Sequence, residues 1–315
     1  GNFQWIFARN CEGTEQLRIL LKRRGNRRML NILYEDEAVL VVWKPVGMES
    51  QSGHGFDADM VSEIRRYLST GKPVDNHKLS TKSVEPYVGV IHRLDKPVSG
   101  VMVYAKTKNA AAALSKQVAE GKMHKKYLAV LCGKPVDNVE KYVDYLLKDE
   151  KENTSRIVDM GIKGGKRAEL ICRVLESKTV EPYGELTLAE IELLTGRHHQ
   201  IRVQMSGHGL PLWGDNRYNP AFCQGDQAAG SIAADSADFP AGGFGRRRAL
   251  SGRRSAAQAG TDRIAARRPR AHRADIALAA YELRFTHPVT GKIMTFRQNP
   301  SGGIFRKFAI GQEHV

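Results

Sequence analysis

Long apolar runs are missing from this 315-residue chain: nowhere do about 18 apolar residues follow one another, the length a membrane-spanning helix needs. Thiols are scarce too. Cys11, Cys132, Cys172 and Cys223 lie far apart, form no Cys-x-x-Cys and never sit with His at metal-ligand spacing, so small-hydrophobe roles are expected in place of disulfides or a metal site. A glycine-rich phosphate loop is also lacking, which argues against a nucleotide cofactor. The opening Gly1-Asn2-Phe3-Gln4-Trp5 shows no basic segment leading into an apolar one and a small-residue cleavage site, and the expected compartment is the cytoplasm. Because the chain opens on Gly, residues 1–30, with the basic run Lys22-Arg23-Arg24, are read as a candidate remnant of a missing module.

What the chain does have is positive charge and enough apolar residues for a core. Lys and Arg number 49 against 34 Asp and Glu, a formal charge of +15, and 41% of residues are hydrophobic. That balance points to a polyanionic partner, nucleic acid ahead of a membrane surface.

The apolar pattern changes period along the chain. Ile32-Leu33-Tyr34, the acidic turn Glu35-Asp36-Glu37 and the apolar run 38–43, stopped by Lys44-Pro45-Val46-Gly47, read as a hairpin entering the core. Met60, Val61, Ile64 and Leu68 fall at helical spacing within 57–68, with Asp57 or Asp59 placed to cap. Residues 87–91 and 101–104 read as buried strands flanking the polar stretch 92–99, so Asp95 is expected in a loop held between core strands. An Ala-rich helix over 108–120 ends at Gly121, and a strand over 125–131 follows. Further strands are expected at 168–175 and 185–194, a helix from Arg197 to about Ser206, and a closing hairpin over 277–285 and 292–296. Strands outnumber helices and adjoin one another, which predicts an α+β fold with a mixed, largely antiparallel central sheet and flanking helices. The catalytic domain is placed at 31–227 plus 276–300, with 301–315 as a tail.

Residues 228–275 break character: ten Arg, no Lys, fourteen Ala and six Gly in 48 residues, with a net charge of +6 that leaves +9 elsewhere. Such a composition lacks the periodicity needed to offset ordering entropy, and disorder is expected. Two readings stand, a basic RNA-binding arm or a non-native, frame-shifted insert; the absence of Lys in a Lys-rich chain favours the second.

Taken alone, His92-Arg93-Leu94-Asp95 fits a surface ion pair better than a catalyst. In context, His92-Arg93-Leu94-Asp95-Lys96-Pro97-Val98-Ser99-Gly100 closely resembles the signature of the RluA family of RNA pseudouridine synthases. Lys44-Pro45-Val46-Gly47 is similar to the family's first motif, Lys125-Lys126-Tyr127-Leu128-Ala129-Val130 to its tyrosine-bearing strand, and Gly196-Arg197-His198-His199-Gln200-Ile201-Arg202-Val203 to its arginine-bearing helix. Pro211-Leu212-Trp213-Gly214-Asp215 and Phe285-Thr286-His287-Pro288 match later stretches, in the family's order. Departures are Val98, where the family usually has Thr, Ala279, where many members have His, and the 228–275 insert.

The resemblance implies isomerisation of uridine in folded ribosomal or transfer RNA. Asp95 is the implied reacting carboxylate, attacking C1′ or removing the 2′ proton; the residues do not choose between these. It is expected to be ionised yet shielded from water, with Arg202 as its bidentate partner. Tyr127 would stack on the flipped uracil near the departing C5 proton; without the family it reads as a core tyrosine. Arg93 would fill the space the base leaves. His92, Arg197, Lys122, Lys125 and Lys126 are candidate RNA contacts. On a helix starting at Arg197, His198 and Arg202 would share one face, His199 and Val203 another. No metal, cofactor or membrane is expected, and the chain is expected to be a monomer. The rival readings are a non-catalytic RNA-binding protein or chaperone on the same scaffold, and a glycosidase-like hydrolase.

Deleting 228–275, joining Gln227 to Ile276, is predicted to leave fold and catalytic constant unchanged. The slope of log RNA affinity against log salt separates the two readings: an equal slope marks an inert insert, a shallower slope a functional arm.

Overall fold

The computed structural model describes residues 30–52, 59–70, 85–223 and 274–310. The expectations for residues 1–29, for Asp57 as a cap, for 228–273 and for 311–315 lie outside the described residues.

The first hairpin forms as its pattern predicts. Strands β1 (Asn31–Glu35) and β2 (Val39–Lys44) pair antiparallel, and Asp36 Oδ1 closes the turn by accepting the Ala38 and Val39 N–H groups at 2.8 Å. Helix α1 (Met60–Thr70) is capped by Asp59, whose Oδ1 accepts from the N–H groups of Val61 at 2.8 Å and Ser62 at 3.1 Å. Next come β3 (Gly89–Val90), β4 (Ser99–Ala105), α2 (Lys108–Ala119) and β5 (His124–Cys132). Thr107 caps α2, and Gly121 follows its end at φ +68°. Strands β6 (Val139–Asp149), β7 (Thr154–Val158), β8 (Lys166–Val180) and β9 (Gly184–Leu193) precede helices α3 (Gln200–Gly207) and α4 (Pro220–Cys223). The closing hairpin is β10 (Leu278–Thr286) and β11 (Ile293–Arg297), followed by a 3-10 turn, Gly303–Lys307.

Among the described residues these strands form one sheet in the order β1-β2-β4-β10-β5-β9-β8-β6-β7, with β3 on β4 and β11 on β10. Every pairing is antiparallel except β4 with β10, which runs parallel over Ser99–Ala279 and Gly100–Ala280. The fold is therefore α+β with a mixed, largely antiparallel sheet.

Both faces of the central strands are covered, so their sequences are nearly continuous apolar runs. Met102 and Tyr104 of β4 join Leu40 and Val42 of β2 and Tyr127, Ala129 and Leu131 of β5 on one face, with Met60 and Ile64 of α1 and Ile201 and Met205 of α3. Val101, Val103 and Ala105 turn to the other face, against Val39, Val41 and the α2 residues Ala110 and Leu114. Beside them Leu128 and Val130 of β5 meet Phe305 and Phe308.

Four expectations need correction. The strand over 87–91 shrinks to Gly89–Val90, and Tyr87 is exposed. Strands β6 and β7 were not anticipated: at the outer end of the sheet, β6 buries little beyond Tyr142 and Leu146, too sparse a signal for either period. The helix expected from Arg197 starts three residues later, at Gln200. Residues beyond 300 do not all trail, since Phe305 and Phe308 are buried against β5 and β10.

Gly100 sits at the parallel seam with φ +148°, and a Cβ there would lie 2.5 to 2.6 Å from the Cβ, O and N of Ala280. Gly100→Ala is therefore predicted to lower the unfolding free energy by about 3 kcal/mol, measured by urea denaturation. A loss under about 1 kcal/mol would show that the seam relaxes freely.

Candidate active site

Asp95 lies in the loop between β3 and β4, and the loop is tied on both sides of it. Val98 N–H donates to the Asp95 carbonyl at 2.9 Å, closing a turn. On one flank, Ser50 Oγ donates to Leu94 O at 2.8 Å and accepts from Leu94 N–H at 3.0 Å, while the Tyr104 hydroxyl donates to Ser50 O at 3.0 Å. On the other, the fully buried Lys44 ammonium donates to the carbonyls of Pro45 (3.1 Å), Met48 (2.6 Å) and Lys96 (3.2 Å). Gly47 N–H donates to the same Lys96 carbonyl at 2.9 Å. Burial pushes the Lys44 amine down to about 7, opposed by the charges of Asp95 and Glu49. Val98, one of the departures from the family pattern, is 2% exposed, and the turn is held through its backbone.

Arg202 does not clasp Asp95 as expected. Its Nε and Nη2 grip Asp215 at 2.8 and 2.7 Å in the planar fork geometry, and Asp215 is 1% exposed. Asp95 receives only Nη1, at 3.4 Å, and its side chain is 31% exposed, so the carboxylate is open to the cleft and not sealed from water. Burial works against the Arg202 charge, but the hydrogen bonds and charge of Asp215, then the charge of Asp95, outweigh it and hold the guanidinium above its ordinary value.

Period-two alternation sorts the β5 candidates. Lys125 and Tyr127 face the cleft, whereas Lys126 points to the opposite face and pairs with Glu190 at 3.1 Å. Lys126 is thus removed from the cleft contacts. Tyr127 is 6% exposed; burial and the Asp95 charge push its phenol up, and burial brings the Lys125 amine down to about 8. His92 is also misplaced for an RNA contact: it is 8% exposed, its Nε2 accepts the Val103 N–H at 3.3 Å, and burial, then Lys125, keeps it neutral. Arg93 and Arg197 are exposed beside the cleft, Arg197 also donating through Nε to Arg167 O at 2.8 Å; Lys122 pairs with Glu120 at 2.8 Å.

The late start of α3 rearranges its histidines. Gln200 Oε1 accepts from Thr195 Oγ1 and Arg197 N–H, both at 2.9 Å, and His199 adopts the left-handed backbone, φ +53°. His198 and Arg202 therefore share no helical face. Instead His199 Nε2 comes within 3.5 Å of Asp95 Oδ2, its Nδ1 within 2.7 Å of the Tyr218 hydroxyl, and its ring stacks on His198.

The open cleft around Asp95 has a volume of about 1230 Å³; Tyr127, Ile201 and Leu278 supply apolar lining and Arg93, Lys148, Arg197 and Arg217 supply cations. An accessible carboxylate among cations and an aromatic ring suits chemistry on a flipped nucleotide. Sequence reasoning missed Lys44, Ser50, Asp215 and Tyr218. Lys44 and Asp215 stood inside quoted motifs, and their burial was the signal that a linear reading lacks.

Residues 38–207, more than half of the chain, match the family described as RNA pseudouridylate synthase. The chain is similar to the ribosomal large subunit pseudouridine synthase D of Zymomonas mobilis, 35% identical over 190 residues, covering 60% of this chain and 56% of that protein. It is similar also to the ribosomal large subunit pseudouridine synthase C of Escherichia coli, 32% identical over 187 residues, covering 59% and 52%. The chain spans about half the length of the curated relatives it matches. In fold it is similar to human RNA pseudouridylate synthase domain containing 1, with a TM-score of 0.56, 20% identity and coverage of 88% of this chain and 86% of that one.

Removing the charge of Asp215 would leave the buried Arg202 guanidinium short of its main partner. Asp215→Asn is predicted to lower the unfolding free energy by about 3 kcal/mol, measured by urea denaturation; a change below about 1 kcal/mol would show that the pair does not hold the site together.

Proposed function

Because the chain belongs to the RNA pseudouridylate synthase family, we propose that it isomerises uridine to pseudouridine in folded RNA, with Asp95 as the reacting carboxylate. The observation that carries this reading is the placement of Asp95: on a loop pinned at Leu94 and Lys96, open to a cleft that also presents Tyr127 and Arg202. The relatives, ribosomal large subunit pseudouridine synthases, favour ribosomal RNA as the substrate class. Exposed Arg93, Arg197 and Arg217 at the cleft fit phosphate contacts, and the family resemblance assigns Arg93 the space an extruded base leaves.

In the reaction the C1′–N1 bond breaks with its electron pair passing to uracil N1. Asp95 either bonds to C1′ and is displaced when C5 of the turned base attacks that carbon, or takes the 2′ proton to leave a glycal and returns it to C2′ as C5 bonds to C1′; the C5 proton then leaves to solvent, and N1 of the base takes one up. Tyr127 stays a neutral phenol at ordinary pH, because burial and the Asp95 charge both oppose its ionisation. Its part is then to stack on the base and to hydrogen-bond, not to act as a phenolate base. RNA binding alone leaves unexplained why a carboxylate should face a polyanion from within a cationic cleft, which disfavours a non-catalytic role.

The C5 proton gives a direct readout. With RNA carrying tritium at uridine C5, Asp95→Asn is expected to cut tritium release by at least about a thousandfold while melting temperature and RNA affinity hold. Turnover retained by that variant would remove Asp95 from the chemistry.

A further inference from the structure

We propose that His199 is a positioning residue for Asp95: a neutral imidazole whose Nε2–H is directed at Asp95 Oδ2 by Tyr218 and the Ser155 backbone, leaving Oδ1 as the oxygen that reacts. The proposal rests on the reading of Asp95 as the reacting carboxylate.

The direction of the chain of hydrogen bonds is set by its two ends together. Ser155 N–H can only donate, and it donates to the Tyr218 hydroxyl oxygen at 2.9 Å. The hydroxyl's own proton is free to turn to His199 Nδ1 at 2.7 Å, and with Nδ1 accepting, the ring proton resides on Nε2, which faces Asp95 Oδ2 at 3.5 Å. The opposite tautomer would aim the Nε2 lone pair at a carboxylate oxygen and leave the tyrosine proton without an acceptor, so it is disfavoured on both counts. Imidazolium is opposed as well. The His199 side chain is 7% exposed, and burial, followed by the charges of Arg202, His198, Arg217 and Lys148, pushes it down to about 3.

The need for this donor arises from Arg202, which spends Nε and Nη2 on Asp215 and has only Nη1 left for Asp95 Oδ2. Nη1 and His199 Nε2 converge on one oxygen, and Oδ1 takes no hydrogen bond from any described residue. Nη1 at 3.4 Å and Nε2–H at 3.5 Å, both on the Oδ2 side, bias the carboxylate's rotation and leave Oδ1 the less engaged oxygen. A neutral donor does this without adding a second cation that would weaken the carboxylate as nucleophile or base. The left-handed backbone of His199, a conformation that Asn, Asp and His adopt more readily than most other residues, sets the ring just outside the start of α3.

The test uses the full chain. In the unmodified protein, ¹⁵N NMR of labelled histidine is expected to show His199 as the neutral Nε2–H form at pH 7; a protonated ring or an Nδ1–H form would overturn the proposal without any variant. His199→Asn, which suits the backbone but is too short to reach Asp95, is expected to slow single-turnover tritium release by about thirtyfold with RNA affinity within about threefold. Tyr218→Phe should give a loss of about tenfold and a tautomer mixture in the ¹⁵N spectrum. A His199→Asn rate within twofold of the parent overturns the proposal, and if that variant does not fold, the parental spectrum and Tyr218→Phe still decide it. Retained turnover in Asp95→Asn would instead sink the underlying reading. An inactive Asp95→Asn beside a fully active His199→Asn sinks this inference alone.

Discussion

One guanidinium stands between two carboxylates, and the site is organised by how unequally they share it. Asp215 takes the fork of Arg202 in the dry interior, where an unpaired charge of either sign would cost several kcal/mol. Asp95 receives what is left, a single distant N–H, and remains part-open to the cleft. A carboxylate clasped on both oxygens would be well stabilised and poorly reactive; one held on a single oxygen keeps lone pairs for chemistry. The buried pair thus anchors α3 to the segment bearing Asp215 and, through that anchorage, sets what Asp95 is free to do.

The rest of the fold serves to hold the Asp95 loop against that arrangement. Lys44 is the clearest sign of the demand. Placing an amine at 0% exposure is costly, and the cost is offset by hydrogen bonds to three backbone carbonyls, one of them on Lys96 beside Asp95. Ser50 performs the equivalent service for Leu94 with a single hydroxyl that donates and accepts. β4 leaves the loop into the middle of the sheet, between β2 and β10, so the loop's exit is tied to strands on both sides. Such rigidity suits a step in which a detached base must turn without escaping.

Much of this was legible before the structure. The hairpins, α1, α2, β4, β5 and β9 announce themselves through apolar period, capping residues and turn chemistry, and Asp95 was correctly placed in a loop between strands. Period two also separates Lys125 and Tyr127 from Lys126, a distinction the linear motif contained but did not reveal as two faces. Strands β6 and β7 were invisible because at the sheet's outer end they bury too few side chains to impress a pattern. The start of α3 was misjudged because Gln200, not Arg197, closes the preceding turn through its side-chain amide, and a long-range bond to the Glu169 carbonyl helps to hold it there.

By itself the sequence determined the residue types, their order and the alternation that commits central strands to a two-sided core: local quantities, set by backbone period and burial preference. It also placed a carboxylate, a tyrosine and an arginine within motifs that resemble those of one family. Which carboxylate takes the arginine's fork, which nitrogen of His199 faces Asp95, and that His92 is a core residue were decided only by the tertiary structure. Those outcomes depend on distances between segments tens to more than a hundred residues apart, and on which charges lose their water when the segments close. Hydrogen-bond partnership falls off within an ångström, so no spacing along the chain encodes it.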